Sequence, residues 1–208
     1  MDSLGQESKI IPYRGNVTRQ KRECLNSHKS VMIWFTGLSG AGKSSIAHLV
    51  EDKLYQIGCR TFVFDGDNVR QGLCSDLGFS DKDRSENIRR IGEMSKLFLE
   101  AGIITLTAFI SPFKADRERI RKLVSTENFI EILCKCSLET CEQRDTKGLY
   151  KLARKGIIKN FTGISSIYEP PDHPDLILDT EKLSLEECGL VTLNLLIQKK
   201  IVPIPIKF

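Results

Sequence analysis

Residues 37–44 read Gly-Leu-Ser-Gly-Ala-Gly-Lys-Ser, which fits the pattern G-x-x-x-x-G-K-S of a phosphate-binding loop. The apolar run at residues 31–35 precedes this loop, and an amphipathic stretch that starts at Ile46 follows it. The sequence therefore predicts a strand, a glycine turn and a helix in the order that such a loop requires. Glycines let successive N–H groups converge on an anion, and the start of the helix adds unpaired donors. An ordinary glycine-rich turn is the alternative, and the two flanking elements disfavour it.

The composition is that of a globular chain with one domain. Its 208 residues are 40% hydrophobic and 28% charged, and no apolar run approaches the length of a membrane helix. The formal charge of +4 is too small to indicate nucleic acid. We therefore expect neither a nucleic acid nor a membrane as a partner. Six basic side chains against one acid at residues 144–159 suit a small polyanionic substrate or, alternatively, a solvated helix face.

The cysteines and the N-terminus bear on the compartment. Seven cysteines occur without a C-x-x-C pair, which favours a reduced protein. The first 28 residues are polar and lack the apolar region of a secretory signal. We expect a cytoplasmic protein, with an organelle left open, and an N-terminal arm at residues 1–28 before a single domain at residues 29–208.

Five apolar runs alternate with helical patterns, which predicts an α/β fold with a parallel sheet covered by helices on both faces. The strands are expected at residues 31–36, 60–64, 103–110, 129–136 and 175–179. A capping box at Ser80 opens a long helix, and residues 184–187 cap the last one. Residues 138–156 read as one basic helix.

Two carboxylates, Asp65 and Asp67, follow the second predicted strand. The carboxyl ends of parallel strands meet at one edge of the sheet. Asp65 and Asp67 should therefore face the phosphate loop, where Lys43 and Ser44 lie. Phosphoryl transfer to a hydroxyl needs a carboxylate for the proton and oxygen ligands for Mg²⁺. The alternative is a D-G turn with solvated acids. The position opposite the loop favours the catalytic interpretation.

Basic and aromatic side chains point to a second, anionic ligand. Arg70 follows the acidic turn, and Arg84 and Asn87 share one face of the long helix. Guanidinium groups bind phosphate or sulfate, although spacing alone makes Arg84 equally a surface charge. Phe79 fits a hydrophobic staple, whereas Phe161, among polar neighbours, suits stacking on a purine.

Several longer stretches resemble the adenylyl-sulfate kinases. They are DGDNVRQGL at residues 65–73, LGF at 77–79, ENIRR at 86–90, FISPF at 109–113, KGLYK at 147–151 and FTGI at 161–164, in the family's order. The resemblance implies a P-loop kinase fold, a homodimer, and a reaction that uses ATP and Mg²⁺. In that reaction the γ-phosphate passes to the 3′-hydroxyl of adenosine 5′-phosphosulfate, which gives 3′-phosphoadenosine 5′-phosphosulfate and ADP.

The resemblance also assigns roles. The expected catalytic residues are Asp67, Lys43 and Asp65, and the expected Mg²⁺ ligands are Ser44 and Asp65. The expected ATP-binding residues are Gly37, Leu38, Ser39, Gly40, Ala41, Gly42, Lys43, Ser44, Ser45 and Arg144. The expected residues for the sulfated nucleotide are Asp67, Asn68, Arg70, Phe79, Arg84, Asn87, Ile110, Ser111, Lys147, Asn160, Phe161 and Thr162. The adenine would lie between Phe79 and Phe161, and residues 144–168 would form a lid.

The chain departs from the family pattern at three positions of that lid. Asn160 replaces a usual glycine, Ser165 a usual acid and Leu152 a usual basic residue, which bears on lid kinetics more than on the reaction. Two other functions stay open. One is a small-molecule P-loop kinase for a nucleoside, gluconate or shikimate, and the other is a non-catalytic nucleotide-binding regulator, which the intact Lys43 and Asp67 disfavour.

Overall fold

Strand β1 (Met32–Thr36) is buried along its whole length, as a central strand should be. In the computed structural model, which describes residues 15–203, it belongs to a parallel five-stranded sheet of order β2-β3-β1-β4-β5. The other strands are β2 (Thr61–Asp65), β3 (Ile104–Ala108), β4 (Phe129–Lys135) and β5 (Leu176–Asp179). The predicted α/β fold with five parallel strands is confirmed.

Eight α-helices lie in the described part of the chain. They are α1 (Arg19–Asn26), α2 (Lys43–Gln56), α3 (Gly66–Arg70), α4 (Asp81–Glu100), α5 (Lys114–Val124), α6 (Leu138–Arg144), α7 (Leu149–Arg154) and α8 (Leu185–Gln198). None of the helices described is long and apolar enough to cross a membrane.

The alternation of side chains along β1 divides the core into two halves. Ile33 and Phe35 belong to the cluster that includes residues of α2 and α8, whereas Met32 and Trp34 belong to the cluster with α4 and α5. Successive strand residues point to opposite faces of a sheet. Because both faces carry helices, a continuous apolar run is the expected sequence for such a strand.

The helix starts follow the predicted caps closely. The Ser184 hydroxyl accepts the Glu187 N–H and the Glu187 carboxylate accepts the Ser184 N–H, which completes a capping box. At α4 the Ser80 hydroxyl accepts the Asp83 N–H, but the Asp83 carboxylate accepts the Ser80 hydroxyl rather than its N–H, so the predicted capping box is only half formed there. Both helices therefore begin where the sequence indicates.

The single basic helix predicted at residues 138–156 is wrong, since the chain forms two helices there. Gly148 has φ of +67° and separates α6 from α7. The two carboxylate oxygens of Asp145 accept the N–H groups of Tyr150 and Lys151, each at 3.1 Å. This side chain satisfies the first donors of α7, so the break costs few hydrogen bonds.

Helix α1 lies against the domain rather than apart from it. The Asn26 side chain donates to the Gly102 carbonyl at 2.9 Å, and Arg19 donates to the Asn128 side chain at 2.8 Å. Part of the predicted arm is therefore in contact with the segments that follow α4 and α5. The division of the chain at residue 28 stays a prediction, and residues 1–14 and 204–208 lie outside the described range.

Candidate active site

The carboxyl ends of three strands lie level at one edge of the sheet. Phe35 of β1 and Asp65 of β2 are both in register with Ala108 of β3, which runs between them. Neighbouring strands are about 4.8 Å apart, so Asp65 faces the start of the phosphate loop across roughly 10 Å. The predicted convergence of the loop, the acidic turn and the segment after β3 is confirmed.

The phosphate loop has the backbone that its glycines allow. Gly37 has φ of +148°, and a Cβ there would lie 2.5 Å from the Cys134 carbonyl oxygen. Gly40 and Gly42 also have positive φ, and Gly42 is the N-cap of α2 without a side-chain hydrogen bond to the helix. The first N–H groups of α2 therefore lack a capping side chain, which leaves them to bind an anion.

The Lys43 side chain turns back over this loop. Its Nζ donates to the Leu38 carbonyl at 2.6 Å, and the residue is only 8% exposed. Burial lowers the pKa of Lys43, while the nearby Cys134 and Cys141 thiols and the Asp65 carboxylate oppose that shift. A buried ammonium beside unpaired N–H groups is suited to phosphate, which would replace the carbonyl as its partner.

Asp65 and Asp67 occupy different places in the acidic turn. Asp65 is the N-cap of α3, and its Oδ1 accepts the Asp67 N–H at 2.9 Å. The Asp67 carboxylate forms an ion pair with Lys147, although both side chains are more than half exposed. The pair joins the acidic turn to the predicted lid across the cleft.

Ser44 and Asp65 are oxygen donors suited to Mg²⁺. The half-buried Ser44 is the second residue of α2, and Asp65 uses one carboxylate oxygen to cap α3, which leaves the other for a ligand. Hydroxyl and carboxylate oxygens are the ligands that Mg²⁺ prefers. The residues present therefore fit this ion. Within residues 15–203, no group of three or more His, Cys, Asp or Glu side chains could hold a metal.

Arg84 is buried and connects two walls of the cleft. Its guanidinium donates to the Phe79 carbonyl at 2.9 Å, to the Thr162 hydroxyl at 2.6 Å and to the Asn160 carbonyl. Burial lowers the pKa of Arg84, with nearby Asp81 opposing. The alternative of a surface charge is wrong, because this side chain joins the start of α4 to residues 160–162.

The two predicted aromatic residues differ in environment. Phe79 is 57% exposed, and the Arg70 guanidinium lies 4.4 Å from its ring centre. Phe161 is 8% exposed and contacts Tyr150 edge to face, with ring centres 4.9 Å apart. Phe161 therefore belongs to the core as well as to the cleft wall, which its polar sequence neighbours do not indicate.

Asn87 is a buried side chain with spare hydrogen-bonding capacity. It is 5% exposed, and its Oδ1 has no hydrogen-bond partner among the described residues. An unpaired buried amide oxygen costs free energy, so such an atom in a cleft wall is a candidate for a ligand contact.

Ser111 is buried and has an uncommon backbone conformation, with φ of +41°. Its hydroxyl accepts from the Trp34 indole at 3.0 Å and donates to the Thr36 hydroxyl at 3.0 Å. Ile110 is half-buried, and its carbonyl accepts the Thr36 hydroxyl at 2.7 Å. The segment after β3 is thus tied to the strand that carries the phosphate loop.

Arg144 reaches the phosphate loop from α6. Its guanidinium lies 3.4 Å from the Gly40 carbonyl oxygen and donates to the Thr180 carbonyl at 2.6 Å. The other predicted residues lie on the same elements, with Leu38, Ser39 and Ala41 in the loop, Ser45 in α2 and Asn68 in α3.

Two residues of this region were not among the predicted ones. Thr180 directly follows β5, and Tyr150 donates its hydroxyl to the Ser39 carbonyl at 2.9 Å. The rule that strand ends meet at one edge could have found Thr180. The contact of Tyr150 depends on how α7 packs, which no local pattern indicates.

Comparisons with known proteins agree with this geometry. The family described as adenylylsulphate kinase matches residues 29–179. An adenylyl-sulfate kinase of Acaryochloris marina is 60% identical over 197 residues, which are 95% of this chain and 96% of that protein.

Solved structures give the same result. An APS kinase of Mycobacterium tuberculosis in complex with AMPPNP and APS is 45% identical, with a TM-score of 0.78 over 81% of this chain and 98% of that one. A hexameric APS kinase of Thiobacillus denitrificans is 28% identical, with a TM-score of 0.64 over 88% of this chain and 31% of that one.

Proposed function

The chain belongs to the adenylylsulphate kinase family, and from that premise we infer that it is an adenylyl-sulfate kinase. It transfers the γ-phosphate of ATP to the 3′-hydroxyl of adenosine 5′-phosphosulfate and releases ADP and 3′-phosphoadenosine 5′-phosphosulfate, a step of sulfate activation. The observation that carries this conclusion is the family match over residues 29–179, because that span contains every residue that the sequence predicts for the site.

We assign the phosphate loop to the β- and γ-phosphates of ATP. The uncapped N–H groups at the start of α2 and the buried Lys43 ammonium support this assignment. On binding, Lys43 exchanges the Leu38 carbonyl for phosphate oxygen and stabilises the charge that develops on the transferred group. Arg144 lies beside the same loop and is assigned to ATP as well.

We assign the acceptor hydroxyl to Asp67. A carboxylate at this edge can accept the proton of the 3′-hydroxyl as its oxygen attacks the γ-phosphorus, while ADP leaves on the side of Lys43. Substrate would then displace Lys147 from Asp67, which frees the ammonium for the phosphosulfate. The ion pair between these exposed side chains supports the exchange, because such pairs are weak.

We assign the sulfated nucleotide to the wall formed by α3, α4 and residues 160–162. The unpaired Asn87 oxygen and the ring of Phe79 are available to a ligand, and Arg70 lies against that ring. Arg84 uses three of its N–H groups on protein atoms, so its main role here is to hold the wall together. Two of its five N–H groups remain for an anion.

Ser44 and Asp65 are our proposed ligands for the Mg²⁺ that accompanies ATP. When bound, this ion neutralises phosphate charge during transfer. Asp65 has a second role that does not depend on metal, because it caps α3 and thereby orients Asp67.

Assembly and compartment are proposals as well. We propose a homodimer on the basis of family resemblance, and the hexameric relative is an example of assembly within the family. We also propose the cytoplasm, which is supported by seven cysteines that are all free thiols.

A coupled assay of ADP release tests the proposed function. We expect release that requires adenosine 5′-phosphosulfate, equals the 3′-phosphorylated product in amount, and disappears in Lys43→Ala. Adenosine, gluconate and shikimate serve as competing acceptors. Turnover of one of these instead, or ATP binding with no turnover of any acceptor, would support one of the rival functions and contradict this one.

A further inference from the structure

A cluster of hydrogen-bonded side chains lies directly before the phosphate loop. Trp34 Nε1 donates to Ser111 Oγ at 3.0 Å, and Ser111 Oγ donates to Thr36 Oγ1 at 3.0 Å. Thr36 Oγ1 donates to the Ile110 carbonyl at 2.7 Å, and the Tyr168 hydroxyl lies 3.0 Å from the same Thr36 oxygen. This Thr36 cluster joins three separate segments of the chain.

The direction of every bond in the Thr36 cluster follows from valence. A hydroxyl has one hydrogen and two lone pairs, and a carbonyl only accepts. The Thr36 hydrogen therefore goes to Ile110, and both Thr36 lone pairs accept, one from Ser111 and one from Tyr168. Tyr168 must be the donor, and burial keeps it protonated by raising its pKa to about 12. Thr36 has no hydrogen-bonding capacity left.

The residue after Tyr168 is anchored to the segment after β3. The Glu169 N–H donates to the Pro112 carbonyl at 2.9 Å, and the Glu169 carboxylate accepts the Lys114 N–H at 2.7 Å. The Glu169 carbonyl accepts from Arg117 at 2.6 Å, and the same guanidinium lies 6.0 Å from the Tyr168 ring centre. Tyr168 is thus the point at which the lid, residues 144–168, meets the rest of the domain.

Both segments that meet here carry residues assigned to the sulfated nucleotide. Residues 110–111 lie on one side, and residues 160–162 belong to the lid that ends at Tyr168. We propose that Tyr168 is a positioning residue whose hydroxyl, held by Thr36, sets the spacing of these two segments for the sulfated nucleotide. The inference rests on the proposed function and deepens it. Tyr168 acts through Thr36 and does not itself touch the reacting atoms.

Tyr168→Phe separates this role from simple packing, because phenylalanine retains the ring and removes only the hydroxyl. Loss of one partly buried hydrogen bond corresponds to about a fivefold effect on an equilibrium. We expect KM for adenosine 5′-phosphosulfate to rise about fivefold, while KM for ATP and kcat stay within about twofold. No hydrogen bond in the described part of the chain joins this hydroxyl to the phosphate loop or to Lys43, so we expect ATP binding to be nearly unchanged.

Variants at Thr36 give the matched controls. Thr36→Val is isosteric and removes the shared oxygen, so it should raise the same KM at least as much. Thr36→Ser retains the hydroxyl and should restore the wild-type KM. In Tyr168→Phe combined with Thr36→Val the effects should not add, since both changes remove the same bond. Tyr55→Phe, at a residue that is 74% exposed, should change nothing.

Hydrogen exchange of the free protein provides a readout without substrate. We expect faster exchange of the Glu169 amide in Tyr168→Phe and Thr36→Val, and wild-type exchange in Thr36→Ser and Tyr55→Phe. The proposal is overturned if Tyr168→Phe leaves this exchange unchanged, leaves the KM for the sulfated nucleotide within twofold, or raises KM for ATP equally. Failure of the proposed function gives a different result from failure of this proposal, because the wild-type protein would then release no ADP with adenosine 5′-phosphosulfate. In that case the exchange data alone would decide whether Tyr168 positions the lid.

Discussion

At the scale of single residues, the exposure of Asp67 and Lys147 bears on what their ion pair does. Their side chains are 65% and 58% exposed, and exposed pairs contribute little to stability. Replacement of Lys147 by a substrate hydroxyl as the partner of Asp67 therefore costs little free energy. Asp67 is better suited to chemistry than to holding the fold.

Asp67→Asn should lower turnover about 100-fold, because the amide has nearly the same shape but cannot accept the hydroxyl proton. Steady-state ADP release measures this, and thermal unfolding should show an unchanged midpoint. Asp52→Asn, at an exposed carboxylate of α2, is the control. Near-wild-type turnover in Asp67→Asn would remove the proposed role.

The aromatic pair can be tested with changes that suit the burial of each residue. Phe79→Ala removes an exposed ring, and Phe161→Leu keeps the core filled beside Tyr150. Stacking on a base is worth about 1–3 kcal/mol, so each variant should raise KM for the sulfated nucleotide roughly tenfold and leave KM for ATP within about twofold. Equal effects on both substrates would argue against selective stacking. Tyr55→Ala serves as the control.

At the scale of elements, the backbone of the lid is compatible with asparagine at residue 160, where the family pattern has glycine. Asn160 has φ of +55°, in the left-handed region that glycine adopts without steric cost and that asparagine adopts more readily than most other residues. Its carbonyl accepts from Arg84, so the turn is also held by a buried partner. The replacement of glycine is therefore compatible with the backbone of the turn.

Asn160→Gly should leave the free energy of unfolding within about 0.5 kcal/mol, whereas Asn160→Ala should lower it by about 1 kcal/mol. Urea unfolding measures both values. Lys159→Ala, at the preceding position, should have little effect, since its φ is not positive. Equal stability of the alanine and glycine variants at residue 160 would contradict the backbone argument.

At the scale of the whole molecule, three cysteine thiols and one tyrosine hydroxyl keep their protons to unusually high pH. Burial raises the pKa of Cys59 to about 11 and the pKa values of Cys134, Cys141 and Tyr168 to about 12. In the unfolded chain these groups lose their protons at about pH 8.5–10. From the lower end of that range upward the folded state binds more protons than the unfolded state, so the free energy of unfolding falls as pH rises. Lys43 and Arg84, whose pKa values burial lowers, act in the opposite direction.

The free energy of unfolding should therefore be clearly lower at pH 10 than at pH 7.5, as measured by urea unfolding. Cys59→Ala removes one of the titrating groups and should show a smaller fall between the two pH values. Equal stability of the wild-type protein at both pH values would contradict the argument.

Local signals account for much of the fold and of the candidate site. The loop at residues 37–44, the acidic turn after β2 and the cap at Ser184 each depend on neighbours within a few residues. Helical periodicity does not indicate the break between α6 and α7, because Asp145 competes with helix continuation by accepting the N–H groups of Tyr150 and Lys151.

Turn geometry and apolar periodicity act over short spans, so the phosphate loop, the acidic turn and the α/β alternation follow from the sequence alone. The burial of Phe161, the partners of Arg84 and the Thr36 cluster depend instead on how distant segments pack in the folded protein. Thr36 and Tyr168 are 132 positions apart, and Arg84 and Thr162 are 78 positions apart. Such contacts form only when the sheet and the lid have packed, and no pattern along the chain encodes them locally.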